Sequence, residues 1–264
     1  MIDVARLPLR AHALAWCSIF RSPRYWIHGW LQDGVRDGDA SLLGKVSVIV
    51  FGGGFQLIPR LLGNRIEDVS GRIHAIRVWR LRDAPVSLFA TAGGPHYVEA
   101  VLSILCWSSV RLVYAMGWCG ALTEELNTGD VIVAYAAVRG DATSDWYVER
   151  GYPAVADPVE AFELAEALGK AGLRTRLGIV YTTSSHMNEK EVVKTWRDKA
   201  LCVECELATL YTILSLAKIP VAAALVVSDS LVRERKGGRE VWEVSRKLIR
   251  ILVEHVARKS RHIR

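Results

Sequence analysis

Apolar, β-branched runs that each stop at glycine or at an acid constrain this chain more than any other feature. Residues 45–51 (KVSVIVF) run into Gly52-Gly53-Gly54, residues 86–90 (VSLFA) precede Gly93-Gly94-Pro95, and residues 111–116 end at Gly117-Trp118-Cys119-Gly120. Residues 131–138 and 176–182 have the same character, residues 201–204 are short and extended, and the fully apolar run 221–227 leads into Ser228-Asp229. Runs of this length bounded by turn residues read as buried strands. Between them, residues 97–105, 158–171, 207–217 and 241–256 carry helical spacing, the second closed by Gly172 and the third followed by Pro220. Strands alternating with helices predict a mostly parallel sheet, covered on both faces. Ligands of such sheets sit beyond the carboxyl ends of the strands. Here those ends carry residues 52–54, 117–120, 204–206 and 228–229.

With 264 residues, 51% of them hydrophobic, the chain can bury one large core without metals or disulfides. No linker-like stretch or shift in composition divides it, so a single domain over residues 1–264 is expected. The net charge of +6 would suit an anionic partner, but the basic residues are spread out, densest near Arg233, Arg235, Lys236 and the C-terminal tail. No aromatic residues interleave with them, so a nucleic-acid surface is not expected. Five cysteines without close, regular spacing argue against a secreted disulfide framework. Arg6, Arg10, Arg21 and Arg24 interrupt any leader-like core, and no apolar run reaches membrane-spanning length, so a cytoplasmic protein without membrane partners is expected.

Two acidic segments, residues 203–206 (VECE) and 226–229 (VVSD), both end apolar strands and so can face one cavity. An ionised carboxylate has only acceptors, and can grip two neighbouring hydroxyls of a ribose. Residues two apart in an extended segment share a face, so Glu204 and Glu206 both qualify unless the strand breaks between them. An acid after a fully apolar strand is often partly desolvated, which raises its pKa and fits it to deliver a proton. The same residues have a plainer use: Asp229 can cap the segment that follows, and Glu206 the helix starting near Leu207. The residues alone leave both uses standing.

Residues 202–208 (CVECELA) followed by 225–231 (LVVSDSL) resemble the nucleoside phosphorylase family, in which a V-E-M-E segment precedes a V-S-D segment. Gly93-Gly94-Pro95, residues 117–121 (GWCGA), 127–130 (NTGD) and 153–157 (PAVAD) match in the family's order, from about His28 to the last helix. Within that family the segments resemble the hexameric purine nucleoside and methylthioadenosine phosphorylases. The resemblance implies a phosphorylase/hydrolase-like α/β fold, a central mixed twisted sheet flanked by helices. It implies a nucleoside phosphorylase, purine-directed, cleaving the N-glycosidic bond with phosphate as co-substrate and no other cofactor or metal. In its terms Asp229 is the acid at the base, Glu206 holds the ribose 2′ and 3′ hydroxyls, and Cys205 stands where Met lines the sugar. Gly94 and Ser228 fall in substrate-binding segments. His28 resembles the histidine that one subunit lends to its neighbour's ribose site, with an ordinary surface or core histidine as the plainer reading. A homo-oligomer, dimer or hexamer, follows from that sharing.

The match breaks at the phosphate side. The family's G-D-P-x-R loop reads Gly52-Gly53-Gly54-Phe55-Gln56 here, the arginine before G-T/S-x-G falls at Ala115, its hydroxyl residue at Trp118, and a third arginine near His74. A cationic donor contributes ~1.5–3 kcal/mol, so losing two or three weakens phosphate by a thousand-fold or more. Gly52 and its neighbours could offer backbone N–H groups instead, or Arg60 or Arg77 could reach in. Trp118 is the candidate to fill the emptied side. Hydrolysis, the first alternative, would want a general base where Gln56 stands, and an amide takes up no proton near neutral pH. A nucleoside-binding protein without turnover is the second. Cys202-x-x-Cys205 has redox or zinc spacing but lacks a second pair. No dinucleotide, Walker, G-x-S-x-G or H-E-x-x-H motif occurs. Residues 182–187 (TTSSHM) depart from the family's S-D-x-F base loop, so the base is not read from them.

Overall fold

The computed structural model describes residues 24–263. After helix α1 (Arg24–Gly34) come β1 (Val46–Phe51), α2 (Gly54–Leu62), β2 (Ile66–Asp68), β3 (Ile76–Leu81), β4 (Val86–Thr91) and α3 (Pro95–Leu105). Then follow β5 (Leu112–Ala121), β6 (Val131–Gly140), β7 (Ala154–Val155), α4 (Pro158–Lys170), β8 (Thr175–Thr183) and α5 (Glu189–Trp196). The chain closes with β9 (Cys202–Glu204), α6 (Leu207–Ala217), β10 (Val221–Ser230), β11 (Arg235–Lys236) and α7 (Arg239–Ser260). All strands join one sheet.

The sheet is mixed, as the resemblance implies, and less parallel than alternation alone predicts. β4, β1, β5 and β10 pair in parallel in that order, as do β6, β8 and β9. β10 joins β6 antiparallel, and β9 joins β5 antiparallel. These pairings close β5, β9, β8, β6 and β10 into a ring, so none of the five is an open edge there. The antiparallel pairs β3–β4 and β2–β3 extend the other side of the sheet.

Every residue of β1 and β4 is buried, which is why both read as largely apolar runs, each broken by a buried serine. Helix α7 packs on α2 and α4, and α3 packs on α1 and α6, so two groups of helices cover the sheet. At the amino end of β5, buried Tyr114 hydrogen-bonds Glu160 of α4 and lies 3.1 Å from His255 Nε2 of α7. Lys259 reaches the same Glu160. Burial lowers the pKa of His255, which keeps this polar pin between sheet and helices free of a second buried cation.

Two segments differ from the sequence reading. Residues 117–120 are not a loop: β5 runs through them to Ala121, paired on one flank with β10 from Leu225 to Ser230 and on the other with Cys202 and Val203. Gly117 lets Leu225 and Phe51 approach; a Cβ there would lie 3.4 Å from Leu225 Cδ2. Gly52 does turn left-handed at φ 73°, but α2 starts only two residues later.

Candidate active site

The carboxyl ends of β1, β5, β8, β9 and β10 surround one cavity of about 220 Å³. Glu204, Cys205, Glu206, Ser228 and Asp229 line it, with Gly52, Gly93, Trp118, Cys119 and Thr183. The structure therefore brings together Glu206 and Asp229, the pair on which the sequence reading turns.

The two glutamates divide their work. β9 ends at Glu204 and the backbone turns, with Glu206 at φ −124°, ψ −36° in the residue before α6. Glu204 Oε2 accepts the backbone N–H of Glu206 at 2.6 Å and of Leu207 at 2.8 Å, so Glu204 caps the helix start. Its other oxygen accepts from the Thr182 hydroxyl, which in turn accepts the Ala208 N–H at 3.0 Å. Glu206, the residue expected to cap if it were structural, makes no capping bond. Instead its Oε1 accepts the Gly94 N–H at 2.5 Å. Gly94 holds φ 109°, a left-handed conformation suited to glycine. A Cβ on Gly93 would come 2.7 Å from the same Oε1, so that glycine leaves room for the carboxylate.

Burial, and then the charge of Glu206, push the Glu204 carboxyl up to about 8. Two neighbouring carboxyls, one of them fully buried, resist ionising together. The cavity thus favours a neutral Glu204 behind Glu206 at neutral pH.

Asp229 owes its place to a β-bulge. β10 and β5 keep step up to Val227 opposite Cys119, then Asp229, not Ser228, lies opposite Gly120. In a regular strand neighbouring side chains point to opposite faces; the extra residue lets Ser228 and Asp229 both enter the cavity. Ser228 Oγ lies 2.5 Å from Asp229 Oδ1 and 3.1 Å from the Cys119 carbonyl oxygen. The serine hydroxyl thus has both the Asp229 carboxyl and the Cys119 carbonyl within reach as acceptors. Asp229 is a strand residue and caps nothing.

The opposite wall is apolar. The Trp118 ring lies over the first glycine loop: a Cβ on Gly52 would sit 3.4 Å from its Cζ3, and one on Gly53 2.9 Å from its Cη2. Trp118 Nε1 donates to Ser245 Oγ of α7 at 3.0 Å. Trp242, on the same helix, meets the Trp118 ring edge-on at 5.1 Å. The Gly52 N–H, expected to be an anion donor, is bonded to the Thr91 carbonyl at 2.9 Å. Arg60 and Arg77 do not line the cavity, and Arg77 pairs with Asp68. Among the described residues, no Lys, Arg or His lines the cavity.

Other expectations resolve variously. Cys205 lines the cavity, Cys202 hydrogen-bonds Cys119, and no disulfide joins Cys202 to Cys205. Burial, then the neighbouring Cys202, raises the Cys119 thiol well above its ordinary pKa, so it is no thiolate nucleophile. Among the described residues no group of three or more His, Cys, Asp and Glu is arranged to hold a metal. Nor is any helix long and apolar enough to cross a membrane. His28 falls within α1, but its side chain lies outside the described residues. The sequence reading placed Thr182 in the base loop rather than beside Glu204, and it missed Trp242 and Ser245. Trp242 and Ser245 stand three apart on a helix, on one face, but nothing in the sequence indicates which strand that face meets.

A layered α/β fold whose strand ends gather acidic side chains around a small cavity is the arrangement expected of a nucleoside phosphorylase-like protein. The Phosphorylase superfamily matches residues 49–257, and this chain belongs to it. The chain is 28% identical over 201 residues to the uridine phosphorylase of Thermococcus kodakarensis, covering 69% of this chain and 72% of that one. Its fold is similar to purine nucleoside phosphorylase from Toxoplasma gondii in complex with immucillin-H, with a TM-score of 0.74, 18% identity and coverage of 84% and 93% of the two chains. It is likewise similar to AMP nucleosidase from Bacteroides thetaiotaomicron, with a TM-score of 0.70, 22% identity and coverage of 86% and 95%.

Proposed function

We propose that this protein binds a ribonucleoside in the strand-end cavity and cleaves its N-glycosidic bond. The observation that carries the reading is that Glu206 and Asp229 line the same cavity. Glu206 offers carboxylate oxygens beside the backbone of Gly94, a fit to the adjacent 2′ and 3′ hydroxyls of a ribose. Asp229 donates a proton to the departing base, and the proton is replaced from solvent. The bond breaks through a cation-like sugar, which the carboxylates of the same cavity stabilise electrostatically. Cys205 and Ser228 complete the wall around the sugar and base.

The family and the uridine phosphorylase relative support a nucleoside as substrate. Purine and pyrimidine nucleosides both fall within the reading. Incubating the protein with inosine, adenosine, methylthioadenosine and uridine, with and without phosphate, tests it. Release of free base from at least one is expected, and loss of that release in Asp229→Ala. No release, together with no thermal stabilisation by any of the four, would refute it.

A further inference from the structure

One half of the cavity is built for something other than an anion. Phosphate carries about two negative charges near neutral pH and needs cationic or N–H donors to leave water. The cavity is lined by three acidic side chains, Glu204, Glu206 and Asp229, and, among the described residues, by no cation. The first glycine loop offers little more: the Gly52 N–H is taken by Thr91 and the Trp118 ring covers Gly53. That ring is fixed from three sides. Its indole N–H is held by Ser245, Trp242 meets it edge-on, and its backbone lies inside β5, opposite Val226 of β10. An exposed surface tryptophan could swing aside; this one is half-buried and hydrogen-bonded to a fully buried serine.

We infer that the Trp118–Trp242 pair, pinned by Ser245, is a plug that closes the phosphate half of the cavity, so that the protein transfers the sugar to water without using phosphate. The inference rests on the proposed cleavage at Asp229. In that reaction the C1′–N bond breaks with its electron pair passing to the base, which takes the Asp229 proton. A water oxygen forms the new bond to C1′ and its proton passes to solvent, giving free base and free ribose. A strongly cation-like sugar needs little help from its nucleophile, which is compatible with Gln56 standing where a base would otherwise be.

The test is base release by the full chain in phosphate-free buffer and in millimolar phosphate, with the sugar product followed by phosphorus NMR. Equal rates and no sugar phosphate are expected. Release stimulated ten-fold or more by phosphate, with a sugar 1-phosphate formed, would overturn the plug while leaving the proposed function intact; it would mean that cations reach the site from another copy of the chain. If no base is released at all, the plug is still decided by equilibrium binding of labelled phosphate. Wild type is expected to bind none saturably, and Trp118→Ala, which uncovers the backbone at the start of α2, to bind at least ten-fold better. Trp242→Ala removes a partly exposed ring and, without risk to the core, is expected to change binding in the same direction by less. Saturable phosphate binding by wild type, or no gain in either variant, would refute the inference.

Discussion

The two halves of the cavity share strands but not chemistry. Around Glu206, Gly94, Ser228 and Asp229, each polar group meets a specific partner, at 2.5 Å for Glu206 with Gly94 and for Ser228 with Asp229. Around Gly52 and Gly53 the wall is indole, and its one polar atom, Trp118 Nε1, points away to Ser245. The contrast teaches that recognition of the nucleoside and recognition of the acceptor are separable: they are carried by different residues on the same strand ends. One half can be rebuilt while the other keeps its geometry.

The sharpest way to break the comparison is to remove the acid. Asp229→Ala is expected to lower turnover by about 10²–10⁴-fold with little change in nucleoside affinity, the signature of a general acid. Full activity in steady-state kinetics would end its assignment. Glu206→Ala should weaken nucleoside binding by ~10–100-fold, the cost of losing a charge-assisted pair of hydrogen bonds at ~1.5–3 kcal/mol. Titration calorimetry checks this, and the loss should shrink for a 2′-deoxynucleoside.

A third expectation concerns pH. Glu204 is pushed up to about 8 from its ordinary 4.5. Between those values the folded chain holds a proton that the unfolded chain has released, so stability falls as pH rises through this window. Melting temperatures should decline across that range in wild type and more gently in Glu204→Gln, which keeps an acceptor for the α6 cap but does not titrate. The smallest effect is a control outside both halves. Asp157 Oδ1 accepts the N–H groups of Val159 and Glu160 at 3.0 Å each, so Asp157→Ala should cost about 1 kcal/mol of stability. Nucleoside affinity should not change.

The legibility of the fold in the sequence followed burial. β1, β4 and β10 are apolar because both faces are covered, and α6 spans 207–217 as its spacing predicts. The β2–β3 hairpin was not legible: β3 alternates Ile76 and Val78 with Arg77 and Arg80, whose partners Asp68 and Glu67 lie across the strands. Such pairs need the hairpin in order to be recognised. At the site, the two acidic segments were legible because each ends an apolar run. Which glutamate faces the sugar was not, since that depends on the chain turning after Glu204. The plug was half legible: Trp118 stands where a small hydroxyl residue is expected, but its partners come from a helix more than a hundred residues away.

The bulge in β10 makes the chemistry a matter of parity. Asp229 reaches its position opposite Gly120 because one residue more is used on that strand than on β5. Deleting Ser228 would leave every hydrophobic partner up to Val227 in step and take away the serine that steadies the acid. Inserting a residue before it would turn the carboxylate toward the opposite face. The place of the acid in the cavity is therefore set by the length of the chain at this point as well as by its residues.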